Sequence, residues 1–117
     1  VNAAIMSNNS NLTKQLIRAG KLANERLWEL PLDKEYYEQI KSPVADVKNS
    51  GGREGGSITA GAFLSKFIGN MTWAHLDIAG VAWEEKGKPY MDKGATGFGV
   101  RLLTQFVLDF EKPVKSE

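Results

Sequence analysis

Residues 73–80 read Trp-Ala-His-Leu-Asp-Ile-Ala-Gly, a stretch in which apolar and polar side chains alternate before a glycine. A period of two is typical of a β-strand with one face against a core, and the glycine suits a turn. The pattern therefore predicts a strand that runs into a turn. His75 and Asp77 lie two residues apart on this strand, so their side chains leave the same face.

Upstream of this strand, the apolar residues of segment 58–68 fall on nearly every side of a helix, which predicts a buried helix capped by Ser57. The polar residues 46–56 before it include four glycines and predict a loop. Segment 27–32 is apolar and ends in Pro31-Leu32, which predicts an extended, packed segment rather than a helix. Asp33 then suits the cap of a short helix.

The N-terminal part predicts a strand over residues 1–6 and a helix over residues 11–23, where leucine and alanine recur at spacings of three and four. Asn24 can close this helix in a left-handed conformation, while Gly20 weakens its last turn. Strands that alternate with helices predict a layered α/β domain.

At the other end, glycines at 94, 97 and 99 introduce a final helix. Its apolar stripe predicts the face that packs on the core. That stripe consists of Val100, Leu103, Phe106, Val107 and Phe110. Residues 112–117 read as a frayed tail.

The composition excludes several classes of protein. The chain has 117 residues with 15 basic and 14 acidic side chains, a balance that argues against a dedicated nucleic-acid binder. It has no cysteine, which excludes disulfides and thiolate metal sites. No apolar run is long enough to span a bilayer. The chain starts at Val1 without a methionine, within a predicted strand, and we expect it to be part of a longer protein.

Two patterns leave their chemistry open. His75 and Asp77 are either a structural pair or a metal-binding or acid–base pair. The loop 51–57 is either a tight turn or an anion site, although it lacks the ending of a P-loop. The chain has a single histidine and no Gly-x-Ser-x-Gly elbow, so the sequence does not indicate a Ser-His-Asp triad, and no His-Glu-x-x-His motif occurs.

Five segments, taken in order, closely resemble the end of the leucyl (cytosol) aminopeptidase family. They are Leu-Trp-Glu-Leu-Pro-Leu (27–32), Lys-Ser-Pro-Val-Ala-Asp-Val-Lys-Asn (41–49), Gly-Gly-Ser-Ile-Thr-Ala (55–60), Trp-Ala-His-Leu-Asp-Ile-Ala-Gly (73–80) and Gly-Ala-Thr-Gly-Phe-Gly-Val-Arg (94–101). The resemblance implies that residues 1–117 are the C-terminal part of a layered α/β/α catalytic domain with a mixed sheet.

The resemblance further implies a cytoplasmic homohexamer that removes N-terminal amino acids, leucine preferred, from peptide substrates. Two divalent metal ions, manganese or zinc, would activate a water molecule and polarise the peptide carbonyl. The family motif Asn-Thr-Asp-Ala-Glu-Gly-Arg, which carries metal ligands, does not occur here. We therefore assign no catalytic residue and no metal ligand to this chain, and expect the chain alone to be inactive.

One family role does fall on residues of this sequence. The alanine of the Ile-Ala-Gly turn and the residue three positions later line the pocket for the first side chain of the substrate in that family. Those residues are Ala79 and Ala82 here. The chain would thus supply pocket and oligomer-interface residues. The alternative is a non-catalytic assembly or DNA-binding module of the same family.

Overall fold

A computed structural model describes residues 2–33, 35, 38, 56–87, 89 and 92–114. Five strands and three helices have both ends within these residues. They are β1 (Ala3–Ser7), α1 (Ser10–Leu22), β2 (Leu27–Glu29), α2 (Gly56–Ser65), β3 (Ala74–Asp77), β4 (Trp83–Glu84), β5 (Gly94–Ala95) and α3 (Val100–Leu108). Glu35 and Glu38, which follow Asp33 in the segment predicted to be a short helix, are helical, whereas the rest of residues 34–40 and most of the glycine-dense loop, residues 46–55, lie outside the described residues.

Three of the strands form a mixed sheet in the order β2-β1-β3. The central strand β1 runs parallel to β2, with Ala3 opposite Leu27, and antiparallel to β3, with Met6 opposite His75. The strands β4 and β5 form a separate antiparallel pair. The strand predicted over residues 73–80 is therefore confirmed, with its regular part at residues 74–77.

Helices cover both faces of this sheet. On one face, the buried side chains of Ile5, Leu16 and Leu102 join α1 and α3 to β1. Met6 points to the other face because successive strand residues alternate. A Cβ atom added to Gly61 of α2 would lie 2.7 Å from Met6 Sδ, so α2 packs closely on that second face. The predicted layered α/β/α fold with a mixed sheet is confirmed.

Helix α1 follows its sequence signals closely. Asn9 caps it, because its Oδ1 accepts the backbone N–H of Leu12 at 2.8 Å. Asn24 adopts the predicted left-handed conformation just after the helix, with φ at 57°. Gly20 lies within the helix and is buried. A Cβ atom there would overlap the carbonyl oxygen of Glu25, so the glycine allows a close contact between two backbone segments.

The prediction for α2 is only partly correct. The helix begins at Gly56, so Ser57 lies inside its first turn rather than before it. Ile58 and Ala62 are buried as expected, but Leu64 is exposed. The helix also ends at Ser65 instead of continuing to residue 68. Its buried residues are Ile58, Thr59, Gly61 and Ala62, while Ala60 and Leu64 are exposed.

The predicted core stripe of α3 is wrong. Leu103 is 47% exposed and Val107 is 69% exposed, whereas Leu102, which the stripe omitted, is fully buried. Only Phe106 of the predicted stripe packs against the core. The physical reason is that α3 is apolar on two sides, and the contact with α1 selects the side that carries Leu102. In β2, Trp28 is likewise exposed rather than packed.

Residues after α3 return to the start of α1. The side-chain Nδ2 of Asn9 donates a hydrogen bond to the carbonyl oxygen of Val114 at 2.7 Å. Gln15 and Glu111 exchange two further hydrogen bonds. These contacts restrain residues 111–114, part of which the sequence predicted to be frayed, while residues 115–117 lie outside the described residues.

Among the described residues, no helix combines the length and the apolar character that crossing a membrane requires.

Candidate functional site

The residues Ile78–Ala82 form a tight turn between β3 and β4. The backbone N–H groups of Val81 and Ala82 both donate to the carbonyl oxygen of Ile78, each at 2.9 Å. Ala79 is exposed and Ala82 is half-buried. The structure thus brings the two predicted pocket residues together on one turn, and neither is sealed inside the core.

On the β3 side, the turn is held by Asp77. Its Oδ1 accepts the backbone N–H of Ala79 at 3.0 Å. The pKa of the Asp77 carboxyl lies below its ordinary value because the Ser57 side chain hydrogen-bonds to it, with further lowering by the Ala79 N–H and by electrostatic attraction to His75. Partial burial acts in the opposite direction. The ionised carboxylate therefore ties the turn to the first turn of α2.

On the other side, the turn is held by Thr96. The hydroxyl of Thr96 donates to the carbonyl oxygen of Val81 at 2.7 Å, and its backbone N–H donates to the carbonyl oxygen of Ala82 at 3.0 Å. The same hydroxyl oxygen accepts the N–H of Phe98 at 3.1 Å. Sequence reasoning missed Thr96. The feature that could have indicated its role is that it is the polar residue within Gly-Ala-Thr-Gly-Phe-Gly, residues 94–99.

Glu25 is a second residue that sequence reasoning missed. Its side chain is buried, with 3% of its surface exposed. Oε1 accepts the N–H groups of Gly99 at 3.1 Å and Leu102 at 2.8 Å, and Oε2 lies 3.5 Å from Arg101 Nε. Gly99 has no side chain to cap α3, so the distant carboxylate satisfies these amides and opposes the positive end of the helix dipole. Glu25 thereby fixes where α3 starts, directly after the Thr96 segment.

His75 occupies the same face of β3 as Asp77, but its contacts differ. The imidazole ring stacks on Trp73, with centroids 6.4 Å apart and planes 9° apart. Its Nε2 atom is buried without a hydrogen-bond partner among the described residues. The hydrogen bonds of Asp77 go to Ser57 and Ala79, so the coupling between His75 and Asp77 is electrostatic. Asp77 thus contacts the turn and α2, whereas the Nε2 atom of His75 takes no part in these hydrogen bonds.

The described residues do not fit a metal centre. In the part of the chain that the structure describes, no group of three or more His, Asp or Glu side chains could hold a metal ion. That the metal ligands lie outside this chain stays a prediction.

An apolar groove lies elsewhere, on the outer side of α3. It has a volume of about 360 Å³ and is lined by Leu103, Thr104, Val107 and Leu108. Three of its four lining side chains are apolar, so it offers contact area but little to orient a polar substrate. It includes neither Ala79 nor Ala82. The turn is the better candidate site because its two alanines are fixed by named hydrogen bonds on both sides.

Comparison with known proteins gives a consistent result. The family model described as "Cytosol aminopeptidase family, catalytic domain" matches residues 1–104. A protein named "Probable cytosol aminopeptidase" from Geotalea uraniireducens is 58% identical over 103 residues, which are 88% of this chain and 21% of that protein. The protein of the same name from Pseudomonas fluorescens is 54% identical over 110 residues, 94% of this chain and 22% of that protein. The chain thus spans about a fifth of the length of these relatives.

A solved structure agrees with the sequence comparisons. A mutant of tomato leucine aminopeptidase superimposes on this chain with a TM-score of 0.82 at 37% sequence identity. The superposition covers 91% of this chain and 20% of the tomato chain. The likeness therefore extends over nearly all of the architecture described above.

Proposed function

The chain belongs to the cytosol aminopeptidase family, and on that premise we propose that it is part of a two-metal leucyl aminopeptidase that removes N-terminal amino acids from peptides. The observation that carries the proposal is the family match over residues 1–104, which includes all five segments quoted from the sequence. Because the chain spans about a fifth of the length of its relatives, the proposed activity belongs to a full-length protein rather than to this part alone.

We propose that this chain contributes the pocket for the first side chain of the substrate. Ala79 and Ala82 sit on one turn, and their small side chains leave room for a bulky apolar group such as that of leucine. Each methylene that such a pocket buries favours binding by about 0.8 kcal/mol. The hydrogen bonds from Asp77 and Thr96 support this role because they fix the turn before any substrate arrives.

Other parts of the proposal concern the whole protein. The two metal ions, manganese or zinc, would be held by residues outside this chain. The enzyme would be a cytoplasmic homohexamer, and this chain would supply part of the interface between subunits. The exposed apolar side chains of Leu103, Val107 and Leu108 support an interface role, because apolar patches on a protein surface often mark contacts with another protein surface.

The proposed activity is tested with the purified full-length protein and leucine amide. We expect release of leucine in the presence of manganese or zinc, loss of activity after chelation, and recovery when metal is returned. The matched control is N-acetyl-leucine amide, which lacks the free amino group and should not be cleaved. Absence of metal-dependent leucine release would contradict the proposal.

A further inference from the structure

The buried ring nitrogen of His75 needs a partner that the described residues do not supply. Its Nε2 atom has no hydrogen-bond partner among them. Buried polar side-chain atoms in folded proteins are nearly always hydrogen-bonded. The ring also lies nearly parallel to that of Trp73, with the two planes 9° apart, so the ring plane is restrained on one side.

The position of His75 makes this nitrogen relevant to the candidate pocket. His75 pairs with Met6 in the centre of the sheet, so its backbone is tied to the core. Two residues later, Asp77 binds the backbone N–H of Ala79. A bond that holds the His75 ring would therefore restrain the end of β3 from which the Ile78–Ala82 turn departs.

We infer that His75 Nε2 forms a hydrogen bond with a polar group of the full-length protein that lies outside the described residues, and that this bond positions the Ile78–Ala82 turn. His75 is then a positioning residue for recognition of the substrate side chain. This inference rests on the proposed function of Ala79 and Ala82. Since the chain spans about a fifth of its relatives, most of the protein that could supply the partner lies beyond it.

Two substitutions in the full-length protein separate the hydrogen bond from the packing of the ring. His75→Phe keeps a flat ring that can stack on Trp73 but removes both nitrogens. His75→Gln removes the ring but retains a polar group that can reach the position of Nε2. We expect His75→Phe to raise KM for leucine amide about tenfold with little change in kcat, because a buried partner is left unsatisfied. His75→Gln should stay within about threefold of the unaltered protein.

Equal KM values for His75→Phe and the unaltered protein would overturn the inference. So would a rise in KM that is the same for His75→Phe and His75→Gln, because it would trace the effect to the ring and not to the hydrogen bond.

Amide hydrogen exchange tests the same inference without catalysis. We expect the N–H groups of Val81 and Ala82 to exchange about tenfold faster in His75→Phe, and at nearly the unaltered rate in His75→Gln. Unchanged exchange in His75→Phe would overturn the inference. A protein that shows the expected exchange but does not release leucine would refute the proposed function and leave the positioning role intact.

Should His75→Phe fail to fold, a crystal structure of the unaltered full-length protein decides the matter. The inference expects a protein atom from outside the described residues within about 3.2 Å of Nε2. A water molecule alone at that distance, or no polar atom at all, would overturn it.

Discussion

The contact between α1 and α3 and the Ile78–Ala82 turn are held in place by different forces. Where the two helices meet, Leu16 and Leu102 are buried and Glu25 anchors the start of α3 from inside the protein. In the turn, hydrogen bonds from Asp77 and Thr96 hold the backbone in place, and Ala79 is exposed. Buried packing therefore dominates in the first region, whereas hydrogen bonds hold the second and leave Ala79 exposed.

This difference predicts that the helix contact tolerates changes in volume poorly. Leu102→Ala leaves a cavity in a fully buried site and should lower the free energy of unfolding by about 2–5 kcal/mol. Val100, which is 68% exposed on another side of the same helix and lies outside the apolar groove, provides the control. Val100→Ala should cost less than about 1 kcal/mol. Denaturant unfolding of both variants checks this prediction, and equal losses would mean that α3 is rotated differently from the orientation described above.

The next effect concerns the close backbone contact at Gly20. Gly20→Ala should destabilise the protein by about 1–3 kcal/mol, because the new Cβ overlaps the carbonyl oxygen of Glu25. Alanine is the better helix former, so propensity alone predicts the opposite sign. Gly56→Ala in α2 is the control, since a Cβ there meets nothing within 4 Å among the described residues. Thermal unfolding should show a lower midpoint for Gly20→Ala only, and a gain at both positions would refute the contact.

A smaller effect is expected at Asp77, where the bonds that hold the turn are partly exposed. Its folded pKa is lowered, so its contribution to stability is present above the unfolded pKa of about 3.9 and is lost as pH falls through the folded pKa. Asp77→Asn should therefore cost no more than about 1 kcal/mol at pH 7. The difference between the variant and the unaltered protein should shrink in unfolding measurements near pH 3. A difference that grows on acidification would contradict the assigned bonds.

The structural features that were predicted best from the sequence are those that depend on residues close together in the chain. The capping by Asn9 and the left-handed Asn24 are local effects, and both ends of α1 were placed within about one residue. The rotation of α3 was not predicted, because Val107 and Leu102 lie on opposite sides of the helix and are equally apolar. The tertiary contacts with α1 and Glu25 determine which of the two apolar sides of α3 is buried.

The residues of the candidate site also differ in whether neighbouring residues or distant partners determine their role. Ala79 and Ala82 came from a resemblance carried by a continuous motif, and the structure places both on one turn. Thr96 and Glu25 act through partners that are distant in sequence: Glu25 binds the backbone of Gly99, 74 residues away. A single sequence contains no periodicity that would reveal such pairs.

Ala82 should be the position where stability changes least and specificity changes most. It is half-buried on a turn that hydrogen bonds already hold, so a larger side chain should fill the proposed pocket without disturbing the core. Ala60→Trp, at an exposed position on α2, is the matched control and should alter neither stability nor substrate preference appreciably.

The most direct test of the proposed pocket is the ratio of kcat/KM for leucine amide to kcat/KM for alanine amide in full-length protein carrying Ala82→Trp. If Ala82 lines the pocket for the first side chain, this ratio should fall about tenfold or more, because the indole occupies the space that the leucine side chain needs. An equal loss on the two substrates, or no loss on either, would contradict the assignment of this turn to substrate recognition.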